Sequence, residues 1–223
     1  MTTPGLQLKD VSYRYPRASK SDYVIREATV DIPDGEAVGL VGPNGSGKST
    51  LLKVLANLLR PTSGEILYQG RRLKVNDQAF RASLNYCAGA PQGFYPRLTG
   101  GENLRFFSGM KGRMFTREEA EVLLETVGLK NNADTVYSKF SLGMRQRLHI
   151  ACLLIEPASL WILDEPTTGL DAEGVEMLES ILSRSTNKTR IIVSHDADFI
   201  DRMTTRRIVI EGGGLKCHDS SFS

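Results

Sequence analysis

A run of nine residues, from Gly42 to Thr50, has the composition and spacing of a phosphate-binding loop. It reads Gly-Pro-Asn-Gly-Ser-Gly-Lys-Ser-Thr and lies between an apolar stretch, 37–41, and a helix-like stretch that follows Lys48. Glycines allow tight turns in which successive backbone amides point at an anion. Lys48 adds a positive charge, and the hydroxyl of Ser49 is placed to ligate magnesium. The alternative is an ordinary glycine-rich turn. The predicted nucleotide contacts are Gly42, Asn44, Gly45, Ser46, Gly47, Lys48, Ser49 and Thr50.

Two adjacent carboxylates at the end of an apolar run are the second chemical signal. Residues 160–163 read Leu-Trp-Ile-Leu, as in a strand buried on both faces, and Asp164 and Glu165 follow them. Ligands of open α/β sheets bind at the carboxyl ends of the strands. A magnesium-nucleotide site needs one carboxylate for the metal and another to polarise the attacking water. Asp164 suits the first role and Glu165 the second, although such a pair is also common in turns and helix caps.

A third signal lies in residues 140–148, which read Phe-Ser-Leu-Gly-Met-Arg-Gln-Arg-Leu. Ser141 is predicted to cap the helix that follows it. Its hydroxyl and the first amides of that helix would then form a second anion site. The alternative is an ordinary helix N-cap with a basic, solvated face.

The elements around these motifs predict an α/β protein. Apolar alternation and turn residues predict strands at 6–13, 24–32, 36–41, 65–68, 84–88, 160–163, 190–193 and 207–210. Helices are predicted at 48–59, after the capping box 116–119, and at 144–155, 172–183 and 197–203. The layout is one domain, with a core of residues 1–92 and 158–223 that a helical insert, 93–157, interrupts.

Composition limits the classes of function. Lys and Arg number 28 against 26 for Asp and Glu, so the overall charge does not favour nucleic acid. No run approaches the roughly 20 apolar residues that span a bilayer. The N-terminus lacks the basic and apolar regions of a signal peptide, which predicts a cytosolic protein. The three cysteines fit neither a disulfide framework nor a metal pattern, and Cys87 and Cys152 are expected to pack as small apolar side chains.

The order and spacing of the three motifs resemble those of ATP-binding cassette transporter ATPase subunits, over nearly the whole chain. The usual Leu-Ser-Gly-Gly-Gln of that family is here Phe-Ser-Leu-Gly-Met, residues 140–144. Ser141 and Gly143, which match positions that contact the γ-phosphate, are retained. The Ser-Leu-Gly-Met form looks like export-type subunits with a separately encoded membrane partner. The resemblance implies a P-loop NTPase core with a mostly parallel sheet, an N-terminal antiparallel β subdomain and an inserted α-helical subdomain.

Four more positions match functional residues of that family. Tyr15 matches the aromatic residue that stacks on adenine, and Asp171 matches the loop that couples the two sites of a dimer. His195 matches the switch histidine, which contacts the γ-phosphate. Gln92 is the candidate for the glutamine between the core and the helical insert, a nucleotide and metal contact, although it lies closer to Leu98 than is common. Without the family, Tyr15 would be a core or rim residue, Asp171 an N-cap and His195 an exposed loop residue.

The resemblance also implies the partners. Two ATP molecules, with Mg²⁺ held by Ser49, Gln92 and Asp164, would lie between Gly42–Thr50 of one subunit and Ser141–Met144 of another. Glu165, His195 and Lys48 would be catalytic, and a transmembrane permease would grip the helical insert at the cytoplasmic face of the membrane.

Two other classes of protein share the phosphate loop. A soluble cassette ATPase that acts on ribosomes or DNA usually carries two cassettes or long coiled coils, and this sequence has neither. A kinase would lack the 140–148 run and His195, and a GTPase would carry a guanine-reading Asn-Lys-x-Asp motif, which is absent here.

Overall fold

The computed structural model of the protein describes residues 5–19, 21–89, 91–155 and 157–219. The chain divides into two compact units: Met1–Tyr86, Ala158–Asp164 and Thr186–Ser223 form the first, and Cys87–Pro157 and Glu165–Ser185 form the second. The single domain with an insert at 93–157 stays a prediction. The N-terminal residues 1–4 and the side chain of Cys217 lie outside the described part of the chain.

Strands of the described residues form two sheets. In chain order they are β1 (Leu6–Tyr13), β2 (Ile25–Ile32), β3 (Ala37–Val41), β4 (Ser63–Tyr68), β5 (Arg71–Arg72), β6 (Leu84–Cys87), β7 (Leu160–Asp164), β8 (Thr189–Val193), β9 (Arg206–Glu211) and β10 (Gly214–Asp219). The smaller sheet has the order β2-β1-β4-β5 and is antiparallel. It confirms the expected N-terminal antiparallel β subdomain.

The larger sheet has the order β10-β9-β3-β8-β7-β6. β3 runs parallel to both β8 and β9, and β7 runs parallel to β8, whereas β10 is antiparallel to β9. Every residue of β7 and β8 is buried, as expected for parallel strands covered on both faces. Because β3, β8 and β7 are parallel neighbours, their carboxyl ends lie at one edge of the sheet, which confirms the predicted α/β class.

Seven α-helices lie in the described residues: α1 (Lys48–Leu55), α2 (Gln78–Ser83), α3 (Gly100–Met110), α4 (Arg117–Thr126), α5 (Leu142–Leu153), α6 (Ala172–Ser183) and α7 (Ala197–Met203). The first unit contains α1, α2 and α7, and the second contains α3 to α6. One side of α1 is buried in the apolar core of the first unit through Leu51, Leu52, Val54 and Leu55. No helix of the described residues is long and apolar enough to cross a membrane.

Several elements differ from the sequence-based expectation. α1 ends at Leu55 rather than near Leu59, because Asn57 takes a left-handed backbone with φ 56° and its side-chain amide donates to Lys74 O at 2.9 Å. α2, α3, β5 and β10 were not predicted. α3 begins with a full capping box between Thr99 and Glu102, the same device as in α4, but two glycines in its first turn disguise a helix start.

Cys87 and Cys152 lie in a strand and a helix, as predicted. Cys87 is buried at the end of β6, and Cys152 lies on α5. Burial raises the pKa of the Cys152 thiol to about 12, so this thiol is protonated at neutral pH. A protonated, enclosed thiol packs as a small apolar group rather than as a nucleophile.

Candidate nucleotide-binding site

The loop between β3 and α1 requires glycine at two positions for steric reasons. A Cβ on Gly42 would lie 2.5 Å from the carbonyl oxygen of Ile210, and a Cβ on Gly47 would lie 2.9 Å from Val24 Cγ1. Gly45 and Gly47 also have φ of 77° and 103°, in the left-handed region that favours glycine. The chain can therefore wrap tightly here only because these side chains are absent.

The N-terminus of α1 differs from the other α-helix starts of the described residues. Its N-cap is Gly47, and no side chain accepts a hydrogen bond from its first turn. The six other helices each begin with a side-chain oxygen that accepts such a bond, from Asp77, Thr99, Thr116, Ser141, Asp171 and Asp196. The first-turn amides of α1 therefore point into the glycine loop with no competing cap, which is the arrangement of a helix-terminus anion site.

Lys48 lies across the loop that precedes it. Its Nζ donates to Gly42 O at 2.8 Å and to Pro43 O at 3.0 Å. In the same loop the hydroxyl oxygen of Ser46 is buried and has no hydrogen-bond partner among the described residues. A buried polar atom without a partner is unfavourable, so this geometry is suited to an incoming ligand with hydrogen-bonding oxygens.

Tyr15 lies beside the start of α1. Its hydroxyl is 3.1 Å from Thr50 Oγ1, and its ring meets the edge of Tyr13 with centroids 5.1 Å apart. The residue is 42% exposed, so part of the side chain is accessible to solvent. The structure therefore places Tyr15 next to the phosphate loop, whereas its contact with adenine stays a prediction.

Asp164 is the last residue of β7 and is 7% exposed. Its Oδ1 is buried and has no hydrogen-bond partner within the described part of the chain. A carboxylate oxygen in this position is unfavourable unless a cation or a water molecule completes it. The geometry fits a residue that serves a metal ion, directly or through water.

Glu165 follows immediately and has an unusual backbone. Its φ is 51°, in the left-handed region that costs a non-glycine residue energy, and its carbonyl accepts from Thr168 N at 3.1 Å. Such strain is concentrated at functional sites, where the surrounding structure maintains it. The turn at 165–168 therefore holds the backbone of Glu165 in an uncommon conformation.

His195 and Gln92 are both exposed and lie outside helices and strands. His195 follows β8, so in the first unit it lies at the edge of the sheet that also carries the phosphate loop and Asp164. Gln92 belongs to the second unit. Exposure agrees equally with a ligand contact and with an ordinary loop residue, so both assignments stay predictions.

Ser141 is the N-cap of α5, as predicted. Its Oγ accepts from Met144 N at 3.2 Å, and the residue is exposed. Two residues on, a Cβ at Gly143 would lie 2.9 Å from Gly169 O, so glycine allows the first turn of α5 to approach the 167–170 turn. The second unit therefore brings Ser141 and Gly143 close to the segment that leads to Asp171.

Asp171 caps α6 and also forms an ion pair. Its Oδ1 accepts from Gly174 N at 2.9 Å and from Arg147 Nη2 at 2.8 Å. The hydrogen bond from Arg147 is the main reason that the pKa of Asp171 lies below its usual value. Arg147 was not singled out from the sequence. Its side chain is only 10% exposed and also donates to Val127 O at 3.3 Å, so α5 holds the start of α6 through this residue.

These features define a class of protein: an α/β P-loop protein with a glycine-rich loop after β3 and Asp164 at the carboxyl end of β7 in the same sheet. A family model described as ABC transporter matches residues 25–168, and the chain belongs to this family.

The relatives are ATP-binding proteins. The chain is 32% identical over 203 residues to the uncharacterized ABC transporter ATP-binding protein YdbJ of Bacillus subtilis, covering 90% of this chain and 65% of YdbJ. It is 37% identical over 173 residues to the bacitracin transport ATP-binding protein BcrA of Enterococcus faecalis, covering 77% and 56%. This chain thus spans about 56–65% of the length of these relatives. Among solved structures, the ATP-binding cassette MJ0796, a dimer bound to ADP and Pi, matches with TM-score 0.84 and 26% identity, covering 96% and 98%.

Proposed function

We propose that this protein binds and hydrolyses ATP and powers transport through a separate membrane subunit. The observation that carries the proposal is the N-terminus of α1. Its glycine N-cap leaves the first-turn amides without a side-chain acceptor, and the side chain of Lys48 lies across the preceding loop. An amide nest with a lysine is a site for the phosphates of a nucleotide.

The loop residues 42–50 hold the phosphates in this proposal. The ammonium group of Lys48 exchanges the carbonyls of Gly42 and Pro43 for phosphate oxygens, which are stronger acceptors because they are charged. The buried hydroxyl of Ser46 gains a partner at the same time. Tyr15, whose hydroxyl contacts Thr50 and whose side chain is partly exposed, stacks its ring on the adenine.

The donor set near the loop fits Mg²⁺. Ser49 lies in the first turn of α1, and the unpartnered Oδ1 of Asp164 lies at the carboxyl end of β7, which β8 separates from β3 in the same sheet. Mg²⁺ prefers oxygen ligands and keeps several waters, so a serine hydroxyl, a carboxylate and the glutamine amide of Gln92 are suitable partners. When bound, the ion neutralises charge that develops on the phosphate oxygens.

Hydrolysis needs a positioned water and a stabilised γ-phosphate. Glu165 orients and polarises the water, whose oxygen bonds to the γ-phosphorus while the bond to the β–γ bridging oxygen breaks, giving ADP and phosphate. Lys48 and His195 stabilise the charge on the transferred phosphoryl group. The strained backbone of Glu165 supports this role, because such strain is concentrated at functional sites.

A second subunit completes each site. Ser141 and Gly143 lie in the second unit, on the exposed first turn of α5, where they can contact a nucleotide held by another copy or by a homologous subunit. The dimer of MJ0796 with ADP and Pi supports this arrangement. Binding of ATP would close the dimer, and loss of the γ-phosphate contacts would reopen it.

The membrane partner is expected to bind the second unit. α3 and its flanks expose Tyr95, Phe106, Met110 and Met114, with Met110 70% and Met114 81% exposed. Tyr95 and Phe106 pack edge to face with centroids 4.5 Å apart, so these side chains form part of one apolar surface. Exposed apolar surfaces of this kind mark protein interfaces. The protein would then act at the cytoplasmic face of the membrane, next to a permease.

Glu165→Gln tests the enzymatic part of the proposal. This variant keeps the shape of the side chain but removes the carboxylate, so it should bind ATP with unchanged affinity and lose at least about 100-fold in turnover, the range for loss of a general base. ATP should also shift it from monomer to dimer in size-exclusion chromatography. Near-normal phosphate release by Glu165→Gln would refute the proposed role of Glu165.

Co-purification tests the transport part. If the permease partner is correct, co-expression with the membrane protein encoded beside it should give a complex that survives detergent extraction. A protein that hydrolyses ATP but binds no membrane subunit, and instead sediments with ribosomes or DNA, would favour the soluble cassette ATPase.

A further inference from the structure

One side chain of α5 contacts both flanks of the segment that carries Gln92. The Nδ1 atom of His149 lies 3.5 Å from the Sγ atom of Cys87, which ends β6 five residues before Gln92. The same imidazole meets the ring of Phe94, two residues after Gln92, with centroids 5.9 Å apart and planes at 84°. The chain between Cys87 and Phe94 is thus held at both ends by His149.

Phe94 is itself firmly placed in the second unit. Its ring stacks on Tyr137 at a centroid distance of 5.0 Å and an interplanar angle of 21°, and it meets the edge of Phe107 at 5.1 Å. Aromatic pairs in these geometries are favourable beyond the area that they bury. Tyr137 in turn packs against Phe140, 5.7 Å away, the residue that precedes Ser141.

The segment after Phe94 is also fixed. The fully buried side chain of Asn103 on α3 accepts from Tyr95 N at 2.8 Å and donates to the carbonyls of Tyr95, Leu98 and Thr99. Asn103 thus holds the backbone that follows Phe94, and His149 contacts Cys87 and Phe94 on the two sides of Gln92.

The same helix begins at Ser141. His149 lies eight residues after this N-cap, about two helical turns along α5, and an intact helix transmits a displacement along its axis as a rigid rod. Any movement of Ser141 with α5 thus moves the imidazole that contacts the flanks of Gln92.

We propose that His149 is a positioning residue that makes the Gln92 segment move with α5, so that Gln92 and Ser141 reach their nucleotides in one concerted step. The inference rests on the proposed function, because Gln92 and Ser141 have their roles only in that function. His149 touches no nucleotide in this scheme and acts through those two residues.

The state of the imidazole agrees with this role. Desolvation lowers the pKa of His149 to about 4, so the ring is neutral at physiological pH. A neutral imidazole can share one hydrogen with the thiol of Cys87 and brings no charge into the aromatic surroundings of Phe94.

Substitution of His149 tests the proposal. His149→Ala removes both contacts, so turnover at saturating ATP should fall about tenfold, within the range that a misplacement of about 1 Å costs. ATP affinity, measured by calorimetry, should not change, because the phosphate loop is intact. Hydrogen exchange of the amides of residues 91–98 should become faster in the nucleotide-free protein.

Two further variants separate the contacts and control for folding. His149→Phe keeps a ring against Phe94 and loses the contact with Cys87, so its turnover should fall less, about threefold. If the alanine variant does not fold, His149→Phe provides the test. Phe115→Leu is the matched control, because Phe115 is a buried aromatic residue of the same unit outside this cluster. It should lower the free energy of unfolding and leave turnover and exchange of residues 91–98 unchanged.

The outcomes are distinct. A folded His149 variant with normal turnover and normal exchange at residues 91–98 would overturn the proposal. So would an equal loss of turnover in Phe115→Leu, since the effect would then be one of stability. Failure of the proposed function shows up separately, as normal hydrolysis by Glu165→Gln, and the exchange measurement does not depend on hydrolysis.

Discussion

The N-termini of α1 and α5, one in each unit, differ in one respect that decides what each can do. α1 begins at Gly47 with no side-chain cap, whereas α5 begins at Ser141, whose hydroxyl already accepts from Met144 N at 3.2 Å. The open terminus, with Lys48 beside it, has the geometry expected of an anion site. The capped terminus is a stable helix start that offers an exposed hydroxyl and needs a ligand held elsewhere. The difference predicts that the first governs affinity and the second governs turnover.

The largest expected effect is on the open terminus. Lys48→Ala should weaken ATP binding about 100-fold, because hydrogen bonds to charged groups contribute about 1.5–3 kcal/mol each and the ammonium makes at least one of them to phosphate. Calorimetric titration with ATP measures this loss directly. Lys53→Ala, an exposed lysine of the same helix, is the matched control and should bind normally. If the two variants bound ATP equally well, the prediction that the N-terminus of α1 governs affinity would be wrong.

Acid should lower the stability of the second unit, because His149 is buried as a neutral ring. Its pKa is lowered to about 4 in the folded state against an ordinary 6.5, so between these values the unfolded chain binds a proton that the folded chain does not. Stability should therefore be full above pH 6.5 and fall by about 2–3 kcal/mol as the pH drops towards 4. Urea unfolding at pH 7 and pH 4.5 measures how much the free energy of unfolding falls between the two pH values, in the wild type and in His149→Phe. If the variant loses as much stability as the wild type, His149 is not the group responsible.

The smallest effect on stability concerns the capped terminus. Ser141→Ala should lower the free energy of unfolding by about 1 kcal/mol, the usual value of a serine N-cap, and should leave ATP affinity unchanged. Turnover should nevertheless fall about tenfold, since a hydrogen bond made to the transition state is lost. Thr116→Ala removes an equivalent cap from α4 and should match the stability loss alone. If turnover fell in both variants, the effect of Ser141 would be only that of a structural helix cap.

Elements that depend on local sequence patterns could be predicted, whereas elements that depend on distant contacts were missed. β7, β8 and the capping box of α4 were recognisable from apolar runs and local spacing, and the structure contains them. α3 was missed because Gly100 and Gly101 lower its helix propensity, while burial of Leu104 and of Asn103, whose side chain makes four hydrogen bonds, stabilises it. Tertiary packing outweighed propensity at that position.

The residues of the site also divide into those that local spacing predicts and those that only tertiary packing shows. Residues 42–50 could be interpreted directly, since a phosphate loop is formed by consecutive amides and its chemistry depends on spacing along the chain. Arg147 could not be found, because an arginine after a helix cap usually lies in solvent. Only the packing of α5 against α6 shows that its guanidinium is buried and bonded to Asp171. The ABC transporter family of the chain followed from the motifs and is confirmed by the match over residues 25–168.

The sequence alone predicted a phosphate-binding loop at Gly42–Thr50 and two carboxylates after a buried strand, because both patterns are local. The tertiary structure decided the rest. It showed that parallel strands bring the loop, Asp164 and His195 to one edge of a sheet. It also showed the left-handed backbone of Glu165 and the contacts of His149 with Cys87 and Phe94. These features depend on burial and on partners distant along the chain, which local spacing does not encode.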